Sequence, residues 1–474
     1  MRRSIRLLAM CAVPALALLA AGERSASACG GCFGPPKETD DVVTDHRMVL
    51  SVSPQQTTLY DQIRYAGNPS SFAWVLPIRG TVTIGISSNA IFDALDASSR
   101  TTVQQPPSKC PAPPQSCGQF APGTANAAGG GSSSGGGGGV SVSNEQVVGP
   151  YETVQLHSTD PAALDNWMNA NGYAIGTDLA PVVAAYVQQG FDFLAMKLVP
   201  GQGVQSMRPV RVSFGGASPT LPLRMVAAGT GATVGITLWV VADGRWEPSN
   251  FPWFHVDDAD IVWDWSKSDS NYATLRAQKE TDGNNAVWEV ESSVDLSPQG
   301  ISTSVTDVAK YGYLPGQGGF GGGSSGGGVS SGGDAYEAIP ATSTTPGETP
   351  DQVMQDDLTA LFAGISGPSF RLTRLRADLA HASLASDLQL QAASDQSALP
   401  NLRVPAQSIN ETCAVYSGCN IVGYEPVDQL TGSSSHGSFG CAVNGEMTSG
   451  LDLAALAGAL GMLGLGAARA RRRR

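Results

Sequence analysis

The residues with the clearest chemical potential are the eight cysteines, and their spacing points to bond formation. Six fall in close pairs: Cys29/Cys32, Cys110/Cys117 and Cys413/Cys419. In an oxidising compartment, close pairs in loops read as local disulfides, so three short staples are expected. Cys29-Gly30-Gly31-Cys32 also has the spacing of a redox dithiol or of half a metal site. A thioredoxin-like role needs a βαβ context, haem attachment needs a histidine directly after Cys32, and a structural metal needs further ligands at suitable spacing. None of these surrounds the pair, and a bridge tying down the start of the mature chain is the simpler reading.

Carboxylates and aromatic rings gather between Trp246 and Trp265. That stretch holds Trp246, Trp253, Trp263 and Trp265 among Asp257, Asp258, Asp260, Asp264 and His255. Acidic oxygens beside aromatic faces suit a sugar or a hard cation such as calcium. The stretch lacks the Asp-x-Asp-x-Asp-Gly spacing of a calcium loop, and strand alternation sets Trp263 and Trp265 opposite Asp264. Core tryptophans beside a solvated acidic turn are therefore expected. The five histidines, His46, His157, His255, His381 and His436, stand singly, with no metal or acid–base spacing. Formal dinucleotide and nucleophile-elbow matches occur only within glycine tracts, without the strand–turn–helix frame that gives such motifs their function. No metal site, catalytic set or cofactor emerges.

The two ends say where such a chain would work. Arg2, Arg3 and Arg6 precede the uncharged run Leu7–Ala21, which leads to Ala26-Ser27-Ala28. This is the order of a signal peptide, with cleavage expected after Ala28 and Cys29 as the mature N-terminus. A cysteine there invites lipidation, although Ala26 stands where a lipobox wants a larger aliphatic residue. At the other end, Leu453–Ala468 carries no charge and is followed by Arg469 and Arg471–Arg474. The run is short against the roughly 20 residues that span a bilayer, and the arginines would hold its end on the cytoplasmic side. Cys441 lies just before it, left over from the pairs, which marks it as a processing position.

The net charge of the chain is −13, with positive charge concentrated in these two tags, which leaves no basic stripe for phosphates and argues against a nucleic-acid partner. Apolar alternation from Met48 to Ile86 reads as strands, with Pro77 forcing its segment to an edge or bulge. Further strands are expected at Val147–Leu156, Phe191–Leu198, Val210–Phe214, Val234–Val241, Ile261–Trp265, Val287–Val290 and Phe370–Leu379. Helices are expected at Ala90–Ala97, from Asp160 to Gly172, at Pro181–Gln189, and from a capping box at Thr349-Pro350-Asp351-Gln352 to about Ala363. The fold class is α+β, largely antiparallel sheet with a few short helices. The organisation is a signal peptide at 1–28, one exported domain at 29–400 with Gly-rich insertions at 121–143 and 316–333, a disulfide-bearing tether at 401–449, and a hydrophobic helix with its arginine cluster at 450–474.

Several segments together carry a resemblance: Cys29-Gly30-Gly31-Cys32-Phe33, Phe72–Ile78, Val148-Gly149-Pro150-Tyr151-Glu152, Asn171-Gly172-Tyr173 and Phe193–Leu198. From about Cys29 to Leu390 the chain resembles the bacterial exported family called domain of unknown function 2330. That resemblance implies an exported location and no stated mechanism. Gly440-Cys441-Ala442-Val443, with the apolar run and arginines after it, resembles the MYXO-CTERM sorting signal of myxobacterial surface proteins. It implies removal of the tail near Cys441 and transfer to the cell surface. The partners so implied are the membrane, a signal peptidase and a sorting protease. Two function classes follow, a surface-displayed structural or binding domain and, as the alternative, an envelope hydrolase or oxidoreductase whose site is assembled from distant residues.

Overall fold

The computed structural model describes residues 42–66, 73–112, 146–157, 180–202, 206–227, 232–311, 336–339 and 347–430. The expected signal peptide, both glycine tracts, the helix from Asp160 and the terminal apolar run lie outside these residues, as do Ala28, Cys29, Cys32, Cys117 and Cys441. Among the described residues, no helix is long and apolar enough to cross a membrane.

The strands of the two larger sheets are β1 (Val42–Val52), β2 (Gln56–Ala66), β3 (Ala73–Ile78), β4 (Thr83–Ile86), β5 (Gln146–Val148), β6 (Tyr151–Leu156), β7 (Asp192–Leu198), β8 (Val210–Gly215), β9 (Thr233–Ala242), β10 (Trp253–Phe254), β11 (Trp288–Leu296) and β12 (Phe370–Ala380). Eight of them form the central sheet in the order β10-β11-β12-β9-β1-β2-β8-β4. All neighbours are antiparallel except β1 with β9 and β10 with β11. A second antiparallel sheet runs β3-β7-β6-β5. This is the α+β architecture that the alternation implied. Pro77 lies in β3, at the edge of the smaller sheet, the position that tolerates a proline in a strand.

Among the described residues, five helices of eight residues or more accompany the sheets: α1 (Asn89–Ser99), α2 (Ala180–Gln188), α3 (Tyr272–Asp282), α4 (Pro298–Tyr311) and α5 (Pro350–Leu361). The capping box is formed as read: the Thr349 side chain accepts from the Gln352 N–H, and the Gln352 side chain accepts from the Thr349 N–H. α3 and α4 were not anticipated. α3 is polar along most of its length, and only Glu280 in it is buried, so it shows little apolar periodicity.

Strand register assigns the two faces of the central sheet. Arg47, Val49 and Ser51 share one face of β1 with Thr58 and Tyr60 of β2 and Trp239 of β9. Helix α5 covers this face, because its carbonyl oxygens accept from the Ser51, Thr58 and Tyr60 hydroxyls. His46, Met48 and Leu50 point the other way with Leu59 and Asp61, toward Trp74 and Leu76 of β3.

The expected tether is corrected at its start. The compact unit runs to Val427, beyond which only 428–430 are described. Leu402–Arg403 pairs in parallel with Thr102–Val103, and Gln407–Ile409 pairs in parallel with Val262–Asp264. Strands of two or three residues are too short to show alternation, which is why sequence periodicity passes over them. Thr412–Ser417 and Asn420–Pro426 then form a hairpin, turning at Gly418 with φ +61°.

Candidate functional site

Among the described residues, three groups of buried polar side chains stand out. The first surrounds Asp357 of α5, which is wholly buried. Its carboxylate accepts from Ser87 Oγ at 2.5 Å and Tyr336 Oη at 2.6 Å, and Arg211 Nη1 lies 3.3 Å away. Gly85 pairs with Arg211 across β4 and β8, and a Cβ there would sit 2.5 Å from the guanidinium. The absent side chain makes room for the arginine's path. Burial pushes the Asp357 carboxyl up to about 6, opposed by Arg211 and the Ser87 and Tyr336 hydroxyls. Burial and the neighbouring Asp357 raise the phenols of Tyr60 and Tyr336. Every oxygen of this carboxylate is occupied by the protein's own groups, so it joins α5 to the sheet.

The second group lies along β11. A register shift between Val290 and Ser292 makes Glu291 the extra residue of a β-bulge. Its carboxylate receives Arg374 Nε at 2.7 Å and the Thr101 N–H at 2.9 Å, and Arg374 also meets Asp96 of α1. Arg374 and Arg47 both stack on the Trp239 ring, at 5.2 and 5.5 Å. Two residues earlier, Glu289 accepts from Tyr272 Oη at 2.7 Å, with Arg276 Nε at 3.3 Å from its other oxygen. Burial first, then the charge of Glu291, pushes the Glu289 carboxyl up to about 7. Arg403, almost completely buried, donates to the carbonyls of Val256 and Glu291, to the Asp258 carboxylate and toward His255. Burial and then Arg403 hold the His255 imidazole below its usual value.

The third group is a cavity on the opposite face of the sheet. His46 is 1 % exposed, and its Nδ1 lies 3.4 Å from Asp61 Oδ1. Its Nε2 is buried with no hydrogen-bond partner among the described residues. His46 and Asp61 line the cavity with Met48, Leu59, Trp74, Leu76 and Met225, among other apolar groups. An imidazole nitrogen buried beside apolar groups and left unpaired is costly to keep without a ligand. This makes the cavity the strongest candidate site in the described structure.

The remaining candidates fall elsewhere. Cys110 is bonded to Cys413, with an S–S distance of 2.07 Å and a sequence separation of 303, so the expected local bridges Cys110/Cys117 and Cys413/Cys419 are corrected. Cys419 is itself disulfide-bonded, and not to Cys413. The sheet order explains the change, because the strand pairing of 402–403 with 102–103 carries the two distant segments together. Asp257, Asp258 and Asp260 form the exposed turn expected of them. Asp264 differs: it is buried, accepts from Asn410, Ser266 and Lys267, and those bonds hold its carboxyl well below the usual range. Trp263 belongs to the core as read, whereas Trp253 is 38 % exposed. Among the described residues, no group of three or more His, Cys, Asp and Glu side chains is placed to hold a metal ion. Among the described residues, His46–Asp61 and His157–Asp192 are the histidine–carboxylate ion pairs, and neither was visible as spacing.

Comparison with known proteins places this architecture. The family described as an uncharacterized protein conserved in bacteria, DUF2330, matches residues 23–296, more than half of the chain. The chain belongs to this family. The DUF2330 match stops at the last residue of β11, short of the Leu390 boundary that the sequence resemblance suggested. Comparison with curated proteins finds no match, and neither does comparison with solved structures. The His46 cavity lies wholly within the DUF2330 match, while Asp357, Arg374 and Arg403 lie beyond it.

Proposed function

We propose that this chain is an exported envelope or cell-surface protein whose folded part acts as a structural or binding domain. The observation that supports the reading most directly is the Cys110–Cys413 bridge. Such bonds form and persist outside the reducing cytoplasm, in the periplasm or at the cell surface. The signal-peptide pattern ending at Ala28, and the apolar run with its arginines, agree with that compartment. On this reading the mature chain begins at Cys29 and loses its tail near Cys441.

A non-catalytic role is favoured by how the buried charges are used. Asp357, Glu291, Arg374 and Arg403 each join separate elements through hydrogen bonds and ion pairs to the protein's own groups. A binding role draws on the hairpin 412–426, where Val422 is 63 % and Tyr424 67 % exposed. Fractionation of cells followed by thiol trapping tests the reading. The mature protein is expected in the envelope fraction, starting at Cys29, with Cys110 and Cys413 protected from alkylation until reductant is added. Recovery from the cytosol with both thiols free, or of peptides running intact through Met447–Leu463 from the surface form, overturns it.

A further inference from the structure

We propose that the His46 cavity binds one copper(I) ion, held by the His46 imidazole and the thioethers of Met48 and Met225. The register brings the groups together. His46 and Met48 are two residues apart on β1 and so share a face, and Met48 stands directly opposite Asp61 on β2. Met225 reaches the same cavity from the short helix Leu223–Val226, and Trp74 reaches it from the neighbouring sheet. His46, Met48 and Met225 are each at least nine-tenths buried.

The ligand types choose the ion. Thioether sulfur and imidazole nitrogen suit a soft cation, while hard divalent ions prefer several oxygens and retained water. The cavity offers a single carboxylate, and that carboxylate faces His46 Nδ1. It is placed to fix the ring so that Nε2 stays available, the arrangement that orients a metal-binding histidine. One negative charge balances one positive charge, whereas a divalent ion would leave an uncompensated charge in an apolar site. Methionine side chains rotate readily, so two thioethers can close on an ion without moving the sheets. The site does not depend on export, because its residues all lie within the folded domain.

The test uses the oxidised full-length chain, free thiols alkylated, titrated anaerobically with copper(I) bicinchoninate. One equivalent is expected to leave the chelator, with quenching of tryptophan fluorescence from Trp74. Met48→Leu and Met225→Leu conserve volume and should leave the melting temperature within a few degrees. Each is expected to weaken binding by roughly tenfold or more, and His46→Gln further still. Failure to withdraw copper(I), or full binding by the Met48→Leu/Met225→Leu double variant, overturns the proposal. So does preferential uptake of zinc(II) that the two leucine variants leave unchanged.

Discussion

Residues up to Leu296 and residues from 297 to 427 build the same compact unit by opposite means. The earlier part supplies most strands of both sheets and the whole lining of the His46 cavity. The later part supplies one strand to the central sheet, β12, but that strand lies between β11 and β9. Without it, β10 and β11 have no neighbour through which to join the other strands. The later part also carries Asp357, Arg374, Arg403 and Cys413, the partners of Arg211, Glu291, His255 and Cys110 in the earlier part. The segment that matches the family is therefore smaller than the segment that can bury its own core. A sheet is completed by what pairs with its middle, and here that piece comes late in the chain.

The sharpest way to break this comparison is truncation. A chain ending at Leu296 is expected to lose its cooperative thermal transition, while one ending at Val427 keeps it. Equal transitions by circular dichroism would show that β12 is dispensable. Next in size is Arg374→Leu, which leaves Glu291 buried and unpaired and should cost about 3–5 kcal/mol in denaturant unfolding. Adding Glu291→Leu should recover part of that loss, because both charges are then gone. Cys110→Ser with Cys413→Ser removes a link across the whole unit and should cost about 2–5 kcal/mol. No change on reduction would mean that strand pairing alone holds the later part in place.

The smallest expected effect is on pH. Asp357 and Glu289 have folded-state values pushed up to about 6 and about 7, above ordinary carboxyl values near 4. Between those limits the folded state binds more protons than the unfolded one. Their contribution is thus fully present below about pH 4, falls as pH rises through 6 and 7, and is flat beyond. Asp357→Asn should flatten the part of the stability profile below pH 6, and Glu289→Gln the part up to pH 7. Unfolding curves at pH 4.5, 6 and 8 check both, and a profile unchanged in both variants would remove these carboxyls from the account.

What the sequence determined alone was local. Alternation from Met48 onward marked β1 and β2, Pro77 marked an edge or a bulge, and Thr349 with Gln352 marked the start of α5, because each signal depends on residues within a few positions. Even β12 was visible as a strand, read at Phe370–Leu379, though not as the middle of the sheet. The tertiary structure decided everything that depends on which distant segments meet. It joined Cys110 to Cys413, buried Arg403 among the Val256 and Glu291 carbonyls, and set His46 beside Asp61 and Met225. Spacing along a chain reports which side chains share a face, and only strand order reports what that face is packed against.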